Sequence, residues 1–185
     1  MKNEKLSRKA WVAAGFLSLA EAGPASLKIN LLAKRVGATK GSFYWHFKDL
    51  KTYKEAMLEL WISKVATEVF DEVKMAETKD AKIDILLSNA ARPAPEEYGG
   101  RKIEPAMRAW SLSDPDISQA LSNLDLLRIT FTAEVLKALG IEDEALVHLV
   151  YAAYIGLDDL SSKGKADIGL SLNALKKLIL SQIES

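Results

Sequence analysis

The stretch VGATKGSFYWHFKDL, residues 36–50, constrains this chain more than any other. Gly37 separates two short segments with apolar residues at helical spacing: Ile29, Leu32, Ala33 and Val36 before it, Phe43 and Phe47 after it. Thr39 is placed to cap the second segment, its side-chain oxygen accepting a backbone N–H two or three residues on. That second helix, Lys40 to Phe47, is two-faced. Phe43 and Phe47 lie four apart and turn inward together, while Thr39, Lys40 and Tyr44, and in part Ser42, Trp45 and His46, fall on other faces. Such a helix has to touch both a protein interior and a polar partner. Gly41 costs up to ~1 kcal/mol of helix propensity relative to alanine, a cost that close backbone approach to a phosphate would offset.

The remaining pattern is helical nearly throughout. Residues 8–22 carry Trp11, Ala14, Leu17 and Ala20 or Glu21 at helical spacing, with Ser7 as N-cap and Gly23-Pro24 as a stop. A short helix spans 27–35. Asp49 caps a long fourth helix through Leu58, Trp61, Val65 and Val69 to about residue 74. Helices follow over 81–92, 106–112, 116–139, 142–162 and 170–183. Residues 93–105, with three prolines and two glycines, form the clearest loop. No strand pattern of useful length and no internal repeat interrupts them. The spacing predicts an all-α protein of about nine helices.

Net charge is zero, but residues 1–50 hold nine basic and three acidic side chains, +6, and the other 135 residues hold 16 basic and 22 acidic, −6. This asymmetry points to a polyanionic partner for the N-terminal part. With no cysteine and only His46 and His148, thiol chemistry and zinc catalysis lack ligands and nucleophiles. GGRK at 99–102 is too short for a phosphate loop, and Glu96-Glu97 and Asp158-Asp159 read as solvated. The expectation is a protein that is not an enzyme and has no metal or cofactor. No apolar run long enough for a membrane span and no signal peptide is present, so the expected location is the cytoplasm.

A helix, a glycine turn and a second short helix make a helix-turn-helix, whose second helix enters the DNA major groove. The segment LLAKRVGATKGSFYWHFKDLKTYKEAML resembles the DNA-binding domain of the TetR family of bacterial transcriptional regulators. The shared features are Ala33, the turn glycine Gly37, and Thr39, Gly41, Ser42, Phe43, Tyr44, His46 and Phe47, with the likeness extending over about residues 7–60. Lys51 departs from the family's usual acidic residue, and Lys28 and Asn30 stand where threonine and a basic residue are common. The resemblance implies that Thr39 and Lys40 reach base edges. It implies that Ser42, Tyr44, His46 and Lys48 hold phosphates, and that Trp45 lies against the sugar-phosphate wall or a thymine methyl. Lys2, Lys5, Arg8 and Lys9 form a basic arm able to add contacts. More loosely, Arg108, Trp110, Asp125, Arg128 and Gly140 are similar to positions in the C-terminal regions of many members.

Two further expectations concern the acidic part. Ala145, Leu149, Ala152 or Ala153 and Gly156 form a stripe of mostly small residues, and Leu172, Leu175, Ile179 and Ile183 of the last helix form a stripe at near-helical spacing. Paired with a second copy they would build a four-helix homodimer interface, which also matches the family's usual arrangement. Trp61, Met107, Trp110, Phe131, His148, Tyr151 and Tyr154 combine apolar area with polar tips, as an effector pocket does. The expected division is a DNA-binding domain at 1–50, joined through the fourth helix (about 50–74) to an effector-binding and dimerisation domain at 51–185. The function implied is a ligand-responsive regulator, most often a repressor, binding a palindromic operator and released by a small molecule. The alternative is a constitutive DNA-binding or protein-interaction dimer without ligand response.

Overall fold

The structure, a computed structural model, describes residues 7–76 and 78–182, and of residues 64–75 only the helical backbone. The expected core positions Val65 and Val69, the arm lysines Lys2 and Lys5, and Ile183 therefore lie outside the described side chains. Among the described residues there are nine α-helices and no strands: α1 (Arg8–Ala22), α2 (Ile29–Arg35), α3 (Lys40–His46), α4 (Leu50–Met75), α5 (Lys79–Ala91), α6 (Ile103–Ser111), α7 (Pro115–Leu139), α8 (Glu144–Ser162) and α9 (Ile168–Ser181). No described helix is long and apolar enough to cross a membrane.

The helix ends follow the capping chemistry read from the sequence. Ser7 accepts from the Ala10 N–H at 3.1 Å, Thr39 from Ser42 N–H at 3.2 Å and Asp49 from Thr52 N–H at 2.8 Å. Asp143 and Asp167 cap α8 and α9 in the same way. Most helix starts move by one to three residues from expectation, and two of the shifts have a direct physical reason. The α2 helix begins at Ile29 rather than residue 27, because residues 24–26 form a separate 3₁₀ turn and Lys28 is extended. The α6 helix begins at Ile103, with Pro105 inside its first turn, where a missing N–H leaves no helical hydrogen bond unmade.

The chain divides into two compact units, residues 1–62 with 94–120, and residues 63–93 with 121–185. The first unit thus recruits α6 and the start of α7, a different cut from the 1–50/51–185 division. Its centre is α1, which packs against α2, α6 and the 3₁₀ turns Pro24–Ser26 and Glu96–Tyr98 that precede them. Trp11, Phe16 and Leu19 of α1 are all but fully buried, and Gly15 lets Tyr53 and Met57 of α4 come close: a Cβ there would lie 2.1 Å from the Tyr53 hydroxyl oxygen. On α6, Ile103, Met107 and Trp110 make one buried stripe at helical spacing.

In the second unit, α5, α8 and α9 pack on one another around Ile83, Leu87, Leu136, Leu139, Val147, Val150, Ile168, Leu172 and Ile179. Phe131 and Val135 pack against Ile85 and Leu86. A salt bridge between Lys176 and Asp84 ties α9 to α5.

Candidate nucleic-acid interface

The geometry of α3 comes from an aromatic cluster. Trp11 of α1 meets Phe43 edge-on at 5.4 Å, Phe43 lies 5.3 Å from Phe47, and Tyr53 of α4 packs against both at 5.4 and 4.9 Å. The Tyr53 hydroxyl donates to the Trp11 carbonyl at 2.7 Å, and burial pushes its pKa up, so the bond keeps its proton. The Arg8 guanidinium sits 5.2 Å above the Phe47 ring. With Phe43 and Phe47 anchored, the opposite face of α3 has to point outward.

That face carries the expected residues. Thr39, Lys40, Gly41, Tyr44, Trp45 and Lys48 are exposed and Ser42 and His46 half-buried. Trp45 is 89% exposed and Tyr44 55%, far from what a core role would require. Thr39 uses its oxygen as a cap acceptor, which leaves its O–H as a donor for a partner. A Cβ on Gly41 would meet only the Thr39 hydroxyl, at 3.6 Å. Packing within the chain therefore gives no reason for a glycine at this position.

The turn before α3 is built by Gly37 in the left-handed region, φ 65°. Its N–H bonds the Lys34 carbonyl and the Ala38 N–H bonds the Ala33 carbonyl, closing α2 as a Schellman motif. Arg35 makes a bidentate pair with Glu21 at 2.6 and 2.7 Å, fixing α2 to α1. Arg35 is thus spent inside the fold, and Lys9 pairs with Glu97 at 3.2 Å. The exposed Lys28, Lys34, Lys40 and Lys48 remain as cations along the helix-turn-helix. The sequence pattern did not single out Leu31 of α2, 48% exposed beside them.

The residues expected to line an effector pocket divide between the two units. Trp61, Met107 and Trp110 are buried in the first. The indole N–H of Trp61 is buried there without a hydrogen-bond partner, as is that of Trp11. In the second unit Phe131 is core, and the Tyr151 hydroxyl donates to Asp125 at 2.6 Å. Arg128 lies 5.4 Å over the Tyr154 ring, and His148 is exposed. A cleft of about 190 Å³ in the first unit is lined by none of these seven, but by Leu50, Lys51, Lys54, Leu58, Asp114 and Ile117 among others. It is smaller than the roughly 300 Å³ at which ligand pockets begin.

The two stripes expected to pair helices part company. On α8, Ala145, Leu149, Ala152 and Gly156 are exposed and Ala153 is half-buried. On α9 the stripe points the other way: Leu172 and Ile179 are buried in the unit's own core with Leu175 packed against it. The outward apolar face of α9 is instead Leu170, Ala174 and Leu178, with the leucines 71% and 65% exposed.

An anchored second helix, a glycine turn and an exposed polar and aromatic face define a helix-turn-helix DNA-binding domain of the kind transcriptional regulators carry. Residues 12–59 match the family model of the bacterial regulatory proteins, tetR family. No curated protein matches the chain by sequence. Solved structures do match in fold. A Rhodococcus sp. protein assigned to the TetR-family transcriptional regulators superposes with TM-score 0.72 at 16% identity, over 95% of this chain and 98% of its own. A transcriptional regulator from Rhodococcus sp. Rha1 gives 0.74 at 19%, over 95% and 97%. Salmonella enterica GusR gives 0.68 at 14%, over 100% and 99%. The chain therefore has a TetR-family DNA-binding domain followed by a helical C-terminal region, in the fold of the TetR regulators.

Proposed function

We propose that the protein binds a palindromic DNA operator as a cytoplasmic homodimer and represses transcription until a small molecule releases it. The observation that carries this reading is the two-sidedness of α3: Phe43 and Phe47 buried to the last few per cent, Tyr44 and Trp45 left in solvent beside Lys40. In this reading Thr39 and Lys40 address base edges, Lys40 donating to guanine O6 or N7. Ser42, Tyr44, His46 and Lys48 hold phosphates, Gly41 admits the backbone closely, and Trp45 lies along the groove wall.

Dimerisation places two α3 helices about one turn of DNA apart. The exposed stripes Ala145, Leu149, Ala152, Gly156 of α8 and Leu170, Ala174, Leu178 of α9 support a four-helix contact with a second copy. The effector would be bound in the 51–185 region. The unpartnered Trp61 N–H is a donor that a ligand acceptor would satisfy. A ligand acts only through its differing affinity for the DNA-fitting and non-fitting forms.

Genomic-fragment binding by the purified protein, with Lys40→Ala and Tyr44→Ala alongside, tests this. Enrichment of one palindromic site, lost or relaxed in the variants, is expected. No enrichment by the wild type would remove the operator reading and leave an interaction dimer.

A further inference from the structure

Asp114, at the turn from α6 into α7, lies outside every role assigned above, yet several partners converge on its carboxylate. Oδ2 accepts from Lys54 Nζ of α4 at 3.1 Å and from Trp110 Nε1 of α6 at 3.2 Å. The Ile117 N–H also bonds this side chain, and the Asp114 carbonyl accepts from Ser118 N–H at 2.9 Å, starting α7. Lys54 in turn lies 5.4 Å over the Trp110 ring. The pair is mostly shielded, with side-chain exposures of 32% for Lys54 and 19% for Asp114. Burial by itself would raise the Asp114 pKa, but its hydrogen bonds and the Lys54 charge hold it below the ordinary value.

Lys54 is the residue after Tyr53, whose ring carries Phe43 and Phe47. The first turns of α4 are therefore gripped from two sides, by the aromatic cluster under α3 and by Asp114. We infer that Asp114 is a positioning residue for DNA binding: through Lys54 it sets the start of α4, and with it the pose of α3, so that α6, α7 and the recognition helix are linked at one carboxylate. This rests on the DNA-binding reading for its consequence but not for its geometry.

The test compares wild type, Asp114→Asn, Lys54→Met and the double variant by amide hydrogen exchange and by affinity for the best wild-type DNA fragment at fixed salt. Each single variant is expected to speed exchange in α3 and the first turns of α4, with α5, α8 and α9 unchanged. Affinity should fall about five- to tenfold, and the double variant should be no worse than the singles. Asp114→Glu should recover part of the loss. Unchanged exchange at α3 in Asp114→Asn overturns the inference whatever the DNA result. Uniformly faster exchange with a lowered melting temperature also overturns it, marking an ordinary structural ion pair. If the wild type binds no fragment, the operator reading fails, and exchange alone then decides the positioning role.

Discussion

At the residue scale the fold turns on a few atoms where α1 meets α4. Gly15 has no side chain because the Tyr53 hydroxyl and the Met57 sulfur, 2.1 and 2.6 Å from an added Cβ, already occupy its space. Gly15→Ala is expected to cost about 1–3 kcal/mol through overpacking, more if the Tyr53–Trp11 bond is lost, and thermal unfolding reads it directly. Tyr53 carries a second expectation. Its pKa is raised in the folded state, so below the unfolded tyrosine value of ~10 folded and unfolded chains hold the proton alike. Above it the unfolded chain ionises while the folded one does not, and stability falls as pH rises. Comparing denaturant midpoints at pH 8 and 11 should show a smaller loss for Tyr53→Phe than for wild type. None of this was legible in the sequence, where Gly15 is one glycine in an apolar run and Tyr53 one aromatic in a charged helix.

At the element scale α9 is the instructive case. Its sequence, IGLSLNALKKLILS, holds two leucine-rich stripes, 172/175/179 and 170/174/178. Helical spacing finds both, but which one faces inward depends on where α5 and α8 stand. The structure puts Leu172 and Ile179 inside and Leu170 and Leu178 outside. The two faces should respond oppositely to mutation. Leu172→Ala is expected to destabilise the chain by about 2–5 kcal/mol without changing its oligomeric state. Leu178→Glu, alone or with Leu149→Glu, should leave the melting temperature of a dilute sample near its wild-type value and yield monomers in sedimentation. A dimeric Leu149→Glu/Leu178→Glu protein would remove this face as the interface. On α8 the small-residue stripe is exposed except at the half-buried Ala153, because the larger Val147 and Val150 claim the core.

At the scale of the whole molecule the charge asymmetry has to be reread through the fold. Of the nine cations in residues 1–50, Arg35 is spent on Glu21 and Lys9 pairs with Glu97. The other seven, among them the exposed Lys28, Lys34, Lys40 and Lys48, make at most fourteen cations in a dimer. Release of one counterion per neutralised phosphate then bounds the salt dependence. The log–log slope of operator affinity should be no steeper than about −13, with Lys48→Ala making it shallower by about one to two. Titrating binding between 50 and 200 mM salt, roughly the range over which such contacts respond, checks both.

The sequence by itself determined the all-helical class, the caps at Ser7, Thr39 and Asp49, the Gly37 turn and the two-faced α3. These are local: caps bond within three residues, a left-handed turn needs glycine at one position, and a helix of seven residues has only one face on which Phe43 and Phe47 can both lie. What only the tertiary structure decided is non-local. The choice between the two α9 faces, the scattering of the expected pocket residues over two compact units, the neutralisation of Arg35 by a residue fourteen positions away and the meeting of Lys54 with Asp114 sixty positions apart all depend on which helices become neighbours. Spacing along one helix carries no information about the identity of the next one packed against it.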